Sequence, residues 1–151
     1  MAKIRRIVCP VDFSEGAGSA IEYALDLAKD TGADVRFVHV YQIPVYALPD
    51  GAVIGGPELA ARLGVQLQNE LEALRKKYED RGVKLDTQLI EGVPYSEIVR
   101  AAKELPADLI VMGTHGRGGL SHLLLGSVAE RVVRTSECPV LTVRQPKPKP
   151  K

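Results

Sequence analysis

The chain has 151 residues, of which 45% are hydrophobic and 26% are charged, and this suits one domain with a continuous core. Twenty basic against nineteen acidic residues leave a net charge of +1, which argues against a surface for nucleic acid. Its apolar runs are far shorter than the roughly 18 residues that cross a bilayer, so we expect no membrane segment and a cytoplasmic location. The separated Cys9 and Cys138 predict neither disulfide nor zinc site, and we expect both to be buried.

Strand and helix signals alternate along the chain. Apolar, β-branched runs predict strands over 4–11, 35–40, 83–90, 108–112 and 139–143, and amphipathic periodicity predicts helices over 16–30, 57–82, 94–105 and from 126 onwards. Ser14 is a suitable N-cap for the first helix and Gly32 a suitable end. Because the strands lack polar alternation, the sequence predicts one doubly wound α/β domain, a five-stranded parallel sheet with about four helices on its two faces. Its ligand should lie beyond the carboxyl ends of the strands, where the winding direction reverses.

Two segments do not fit this alternation. The loop from Tyr41 to Gly56 is too long for a plain connector. It is a flap over a ligand, an ordinary surface loop or a contact for a partner. Residues 146–151 alternate proline and lysine, which predicts an extended solvated tail after a domain over 1–145. A docking role for the basic tail stays open.

A glycine-rich segment follows the fourth predicted strand. Four glycines occur in Gly113-Thr114-His115-Gly116-Arg117-Gly118-Gly119, and Gly126-Ser127 begins the last helix. Such a turn presents backbone N–H groups to an anion, and a helix N-terminus favours phosphate. We expect a β-branched side chain at Gly126 to occupy the phosphate space and to force an unfavourable backbone angle. The alternative is a structural turn, since glycine-rich turns after strands are common in α/β proteins.

The spacing of these glycines resembles a known signature. The pattern is Gly113-x2-Gly116, followed by nine residues and then by Gly126-Ser127. It is similar to the Gly-x2-Gly-x9-Gly-Ser/Thr signature of the ATP-binding universal stress proteins. The segments 7–14, 38–40 and 138–141 also resemble that family, so the likeness extends over 3–144. It implies an adenine nucleotide α hydrolase-like fold with strand order 3-2-1-4-5, in which the winding reverses between the first and fourth strands. It also implies a homodimer that pairs through the last strand, Val140 to Val143.

The resemblance also implies a role for individual residues. Asp12 and Gly113 would hold the ribose, and the phosphates would lie on backbone near Gly126. The whole implied ATP site consists of Pro10, Val11, Asp12, Val40, Gly113, Thr114, His115, Gly116, Arg117, Gly118, Gly119, Gly126, Ser127 and Val128. Asp12 could instead cap the first helix, and Arg117 could reach a terminal phosphate or be a solvated surface residue. Mg or Mn would arrive with ATP, with Ser127 as the candidate protein ligand.

Features of fast ATP hydrolysis are missing from the sequence. It has no Gly-x4-Gly-Lys-Ser/Thr loop to fix a lysine against the phosphates and no evident acid to orient water, so we assign no catalytic residue. Together with this absence, the family resemblance implies an ATP-binding stress-response switch or regulator, with at most slow hydrolysis or autophosphorylation and an unidentified regulatory protein partner. The alternatives are a slow ATPase or phosphotransferase whose turnover is the function, and a nucleotide-free dimeric scaffold.

Overall fold

The computed structural model describes residues 3–43, 46–115 and 125–145 of the chain. Its elements in chain order are β1 (Arg6–Pro10), α1 (Glu15–Thr31), β2 (Asp34–Tyr41), β3 (Tyr46–Ala47), β4 (Val53–Ile54), α2 (Pro57–Lys77), a 3-10 turn (Glu79–Arg81), β5 (Leu85–Glu91), α3 (Pro94–Glu104), β6 (Leu109–Gly113), α4 (Ser127–Thr135) and β7 (Val140–Val143). The five predicted long strands and four helices are all present, with small differences at their ends. No helix of the described residues is long and apolar enough to cross a membrane.

Five parallel strands form the main sheet in the order β5-β2-β1-β6-β7. Counted among these strands alone, this is the order 3-2-1-4-5, so the predicted doubly wound α/β fold is confirmed. The winding reverses between β1 and β6. At the amino ends of these two strands, the Asp108 carboxylate accepts the backbone N–H groups of Arg5 and Arg6 at 2.8 and 3.0 Å, which ties the strands together.

Alternate residues of the central strands contribute to two separate cores. On one face, Ile7 of β1 and Phe37 of β2 pack with α1 and with Leu71 of α2. On the other face, Val8 of β1 and Ile110 of β6 pack with α3 and α4. Because successive strand residues point to opposite faces, the part of a strand that is buried on both sides must be apolar, as residues 7–9 of β1 and 109–112 of β6 are.

The ends of α1 are as the sequence predicts. Ser14 is the N-cap, and its side chain accepts the Ala17 N–H at 3.3 Å. Gly32 follows the helix with a φ of 76°, a left-handed conformation that glycine adopts without a Cβ clash. The cap at Ser14 places the start of α1 directly after the carboxyl end of β1.

Two sequence expectations need correction, and one lies outside the described part. The 41–56 loop contains a short antiparallel hairpin of β3 and β4, whose two-residue strands are too short to give a period-two signal. Cys9 is fully buried, but Cys138 is only half-buried, because it lies in the turn before β7, where its N–H donates to the Ser136 hydroxyl. The predicted tail, 146–151, is outside the described residues.

Candidate functional site

A pocket of about 270 Å³ lies at the carboxyl ends of β1, β2 and β6. Its lining comprises Pro10, Val11, Asp12, Ala17, Val38, His39, Val40, Pro94, Ile98, Gly113, Thr114, His115, Gly126, Val128 and Ala129. The lining is mostly apolar, with Asp12, His39, Thr114 and His115 as its polar side chains. The pocket is therefore at the reversal of winding, where open α/β sheets bind their ligands.

The deep side of the pocket belongs to the second core. Val38 from β2, Ile98 from α3 and Ala129 from α4 are buried there, and Val40 packs against the same cluster. An apolar slot between two helices and a sheet suits a flat, mostly apolar group, because such a group gains free energy when its surface leaves water.

Asp12 connects the pocket to the start of α1. Its Oδ1 accepts both the backbone N–H of Ser14, at 3.0 Å, and the Ser14 hydroxyl. Ser14 in turn caps α1, so the cap interpretation of Asp12 is wrong in detail: Asp12 supports the cap residue rather than capping the helix. Asp12 lines the pocket, and these two hydrogen bonds hold its carboxylate in place.

The backbone of three segments meets closely around glycines. A Cβ on Gly126 would lie 2.7 Å from the Thr114 carbonyl oxygen, and a Cβ on Gly113 would lie 3.2 Å from the Gly16 oxygen. Gly126 N–H also donates to the Thr114 oxygen at 2.6 Å. Its φ is −61°, an ordinary value for any residue, so the expected backbone strain is wrong. Glycine is required there because the end of β6 touches the start of α4.

The N-terminus of α4 lies next to this contact. Gly126 is its N-cap and makes no side-chain capping bond, and Ser127 is its first residue. The first N–H groups of a helix have no partner within the helix, and they carry the positive end of its dipole. Val128 lines the pocket beside them, whereas Ser127 is not among the lining residues.

Comparison with known proteins identifies the family. The model of the universal stress protein family matches residues 3–144. The chain belongs to the universal stress protein family. It is 43% identical over 145 residues to universal stress protein MJ0531 of Methanocaldococcus jannaschii, an alignment that covers 95% of this chain and 84% of that protein.

Solved structures have the same fold. MJ0577 of M. jannaschii aligns with a TM-score of 0.81 at 29% identity, over 97% of this chain and all of that one. A universal stress protein from Archaeoglobus fulgidus, solved in complex with dAMP, aligns with a TM-score of 0.59 over 94% of this chain and 98% of that one. Its identity to this chain is 24%, so the likeness shows the fold alone.

The structure of this universal stress protein brings together nine of the residues in the implied ATP site. The nine that line the pocket are Pro10, Val11, Asp12, Val40, Gly113, Thr114, His115, Gly126 and Val128. Ser127 lies at the helix start beside them. Gly116, Arg117, Gly118 and Gly119 lie outside the described residues, so their predicted contacts with phosphate stay predictions.

Sequence reasoning missed several lining residues. Ala17, Val38, Pro94, Ile98 and Ala129 carry no chemical signal, and the apolar periodicity of their helices and strands could only assign them to a core. His39 Nδ1 lies 2.6 Å from the Val11 oxygen. It also lines the pocket, a position that its neighbours in sequence do not indicate.

His115 presents a polar atom without a partner. Its Nδ1 lies 3.0 Å from the Thr114 hydroxyl, while its Nε2 is buried and has no hydrogen-bond partner among the described residues. A buried imidazole nitrogen of this kind normally finds a partner. Within the same described ranges, no group of three or more His, Cys, Asp or Glu side chains could hold a metal ion.

Proposed function

We propose that this universal stress protein binds ATP and acts as a nucleotide-dependent regulator in a stress response. The observation that carries the proposal is the position of one pocket, which joins the end of β1 to the start of α4 at the reversal of the sheet. One end of the pocket is apolar, and the other is the start of α4, which has no side-chain cap among the described residues. These two environments match the two ends of a nucleotide, a flat base and a charged phosphate chain.

The base and the ribose occupy the β1 side of the pocket in this proposal. The backbone of Val11 is already engaged, since its N–H donates to the Val38 oxygen at 2.8 Å and its oxygen accepts from His39. Hydrogen bonds to the edge of adenine therefore come from neighbouring backbone, with Val40 as our candidate. Asp12 lines the pocket and its carboxylate is held by Ser14, which suits an acceptor for the two hydroxyls of a ribose.

The phosphates lie towards α4 in this proposal. The N–H groups of its first turn attract anions, and the absence of a Cβ at Gly126 lets β6 and α4 meet without a side chain between them. Mg or Mn enters with the nucleotide and is held chiefly by phosphate oxygens, with the Ser127 hydroxyl as a suitable hard ligand. Gly116 to Gly119 complete the phosphate end in the proposal.

A homodimer through β7 is part of the same proposal. β7 pairs with β6 on one side only in the described chain, and it ends the sheet. The Pro139 oxygen accepts from Ile110 of β6, and the Val143 oxygen accepts from Thr114, the residue after β6. By the two-residue period of a strand, the backbone of Val140 and Thr142 therefore faces outwards. These outward N–H and C=O groups suit pairing with a second copy about a twofold axis.

Nucleotide occupancy would alter the surface of 41–56 that a regulatory partner contacts.

The test is a titration of purified protein with Mg-ATP in a calorimeter, together with a measurement of phosphate release. We expect saturable binding with one site per chain and at most slow turnover. Because the chain has no Trp and five Tyr, a co-purified nucleotide would dominate the absorbance near 260 nm, and this is checked first. Turnover at an enzyme's rate would favour the ATPase alternative, and absence of any binding to nucleotide-free protein would favour the scaffold.

Asp12→Asn and Asp30→Asn are a matched pair of variants for this titration. Both remove one carboxylate charge, but Asp12 lines the pocket and Asp30 is exposed near the far end of α1. Asp12→Asn should weaken ATP binding by about 1–3 kcal/mol, because a charged acceptor for the ribose is lost. Asp30→Asn should leave the affinity unchanged. Equal effects of the two variants would contradict the position of the ribose.

A further inference from the structure

The end of β1 turns sharply into α1, and one side chain from β2 contacts both sides of that turn. Val11 comes directly after β1, and its oxygen lies 2.6 Å from His39 Nδ1. Two residues later, the Phe13 ring lies 4.7 Å from the imidazole, centroid to centroid, with the planes tilted by 49°. Asp12 is the residue between them. The imidazole therefore supports the turn at the residues before and after the carboxylate.

The hydrogen bond fixes the position of one proton on the imidazole. A backbone carbonyl can only accept, so Nδ1 must carry the proton and donate it. In the neutral ring this leaves Nε2 as the nitrogen with the lone pair. The bond therefore excludes a neutral ring that is protonated on Nε2 alone, the more common tautomer, and a measurement can detect the difference.

Phe13 makes this support necessary. Its φ is 63°, the only positive value that a residue other than glycine has in the described chain. A bulky residue in the left-handed region is strained, and such a conformation persists only where surrounding contacts impose it. The His39 ring and the first core supply those contacts. Without them, the turn would relax and the Asp12 carboxylate would change direction.

We infer that His39 is a positioning residue for the nucleotide site, which acts through the Val11–Phe13 turn to aim the Asp12 carboxylate at the ribose. Ser14 fixes that carboxylate from the α1 side, and His39 fixes the backbone that carries it from the β2 side. This inference rests on the proposed function, because it explains how the Asp12 carboxylate is held for its proposed contact with the ribose. It assigns no proton transfer to His39.

The first measurement uses the unaltered protein without nucleotide. Long-range proton–nitrogen correlation spectra of the imidazoles report which nitrogen carries the proton. We expect the Nδ1-protonated form for His39, and a neutral ring protonated on Nε2 would overturn the inference. Because no nucleotide is present, this result stands even if the protein proves not to bind ATP, which would refute the proposed function separately.

The second measurement is a double-mutant cycle of His39→Leu and Asp12→Ala, with ATP affinity as the readout. If His39 acts through Asp12, His39→Leu lowers the affinity about three- to tenfold in the unaltered background and has little effect beside Asp12→Ala. Additive losses would mean that His39 contacts the ligand independently, and they would overturn the inference.

His39→Asn is the conservative variant that guards against misfolding. Its amide nitrogen can take the place of Nδ1 and donate to the Val11 oxygen, so we expect it to restore most of the affinity that His39→Leu loses. Thermal melting and the amide resonances of Asp12 and Phe13 are followed in both variants. If His39→Leu keeps the folded spectrum with Asp12 and Phe13 unshifted, the turn does not depend on His39 and the inference fails.

Discussion

Gly126→Ala tests the contact that holds β6 against α4. The added Cβ would lie 2.7 Å from the Thr114 oxygen, a backbone atom that can move only if the strand end or the helix start moves. The overlap should cost about 1–3 kcal/mol, and weakening of the 2.6 Å bond from Gly126 N–H about 1 kcal/mol more. Replacing glycine by alanine also lowers the conformational entropy of the unfolded chain, which stabilises the folded protein by about 0.5–1 kcal/mol. The net loss of stability is about 1–3 kcal/mol.

Gly18→Ala is the matched control. Gly18 lies within α1, and a Cβ there would meet no atom within 4 Å. The same chemical change should therefore raise the free energy of unfolding by about 0.5–1 kcal/mol, because alanine favours the helix over glycine. Thermal melting should separate the two variants, with Gly126→Ala about 3–10 °C below the unaltered protein and Gly18→Ala slightly above it.

ATP affinity of the two variants completes the test. Gly126→Ala should bind ATP at least about tenfold more weakly, because displacing the start of α4 moves the N–H groups proposed to face the phosphates. Gly18→Ala should bind as the unaltered protein does. Unchanged stability of Gly126→Ala would refute the close approach of Gly126 and Thr114. Reduced stability with unchanged affinity would refute the position of the phosphates.

Two further predictions concern the core and the open edge of the sheet. Burial raises the pKa of the Cys9 thiol to about 12, so above pH 9 the thiol ionises only in the unfolded chain. The free energy of unfolding should then fall from pH 9 towards 12 by up to about 1.4 kcal/mol per unit, and Cys9→Ala should remove that part of the slope in denaturant titrations. Thr142→Pro removes an outward N–H of β7 and should dissociate the proposed dimer in sedimentation, whereas Thr142→Val should not. A dimeric Thr142→Pro would place the interface elsewhere.

The sequence predicted the sheet well because its strands are buried on both faces. β1 after Arg6 and β6 up to Gly113 are continuous apolar runs, and α1 has a cap at each end. β3 and β4 were missed because two residues each cannot show a period. The long segment that contains them was recognised only as unusual for a connector.

The site was less predictable because its contacts join distant parts of the chain. The glycine spacing marked Gly113 and Gly126, but the reason for Gly126 lies in the Thr114 oxygen, which only the folded backbone brings near. The bond from His39 to Val11 spans 28 positions, and no local pattern indicates it. The direction of the backbone groups of β7 likewise needed the structure. The outward N–H groups belong to Val140 and Thr142, while the backbone of Leu141, the residue between them, faces β6.

The adjacency of β1 and β6 constrains the order in which the chain can fold. The Arg6 N–H meets the Asp108 carboxylate across 102 positions of sequence, and closing a loop of that length costs about 4 kcal/mol of chain entropy. β1, β2 and β5 can associate earlier, but they supply only part of the pocket wall. The pocket is complete only when β6 and α4 have joined them. A ligand in it stabilises the finished fold over every partly folded form, so its binding reports that folding is complete.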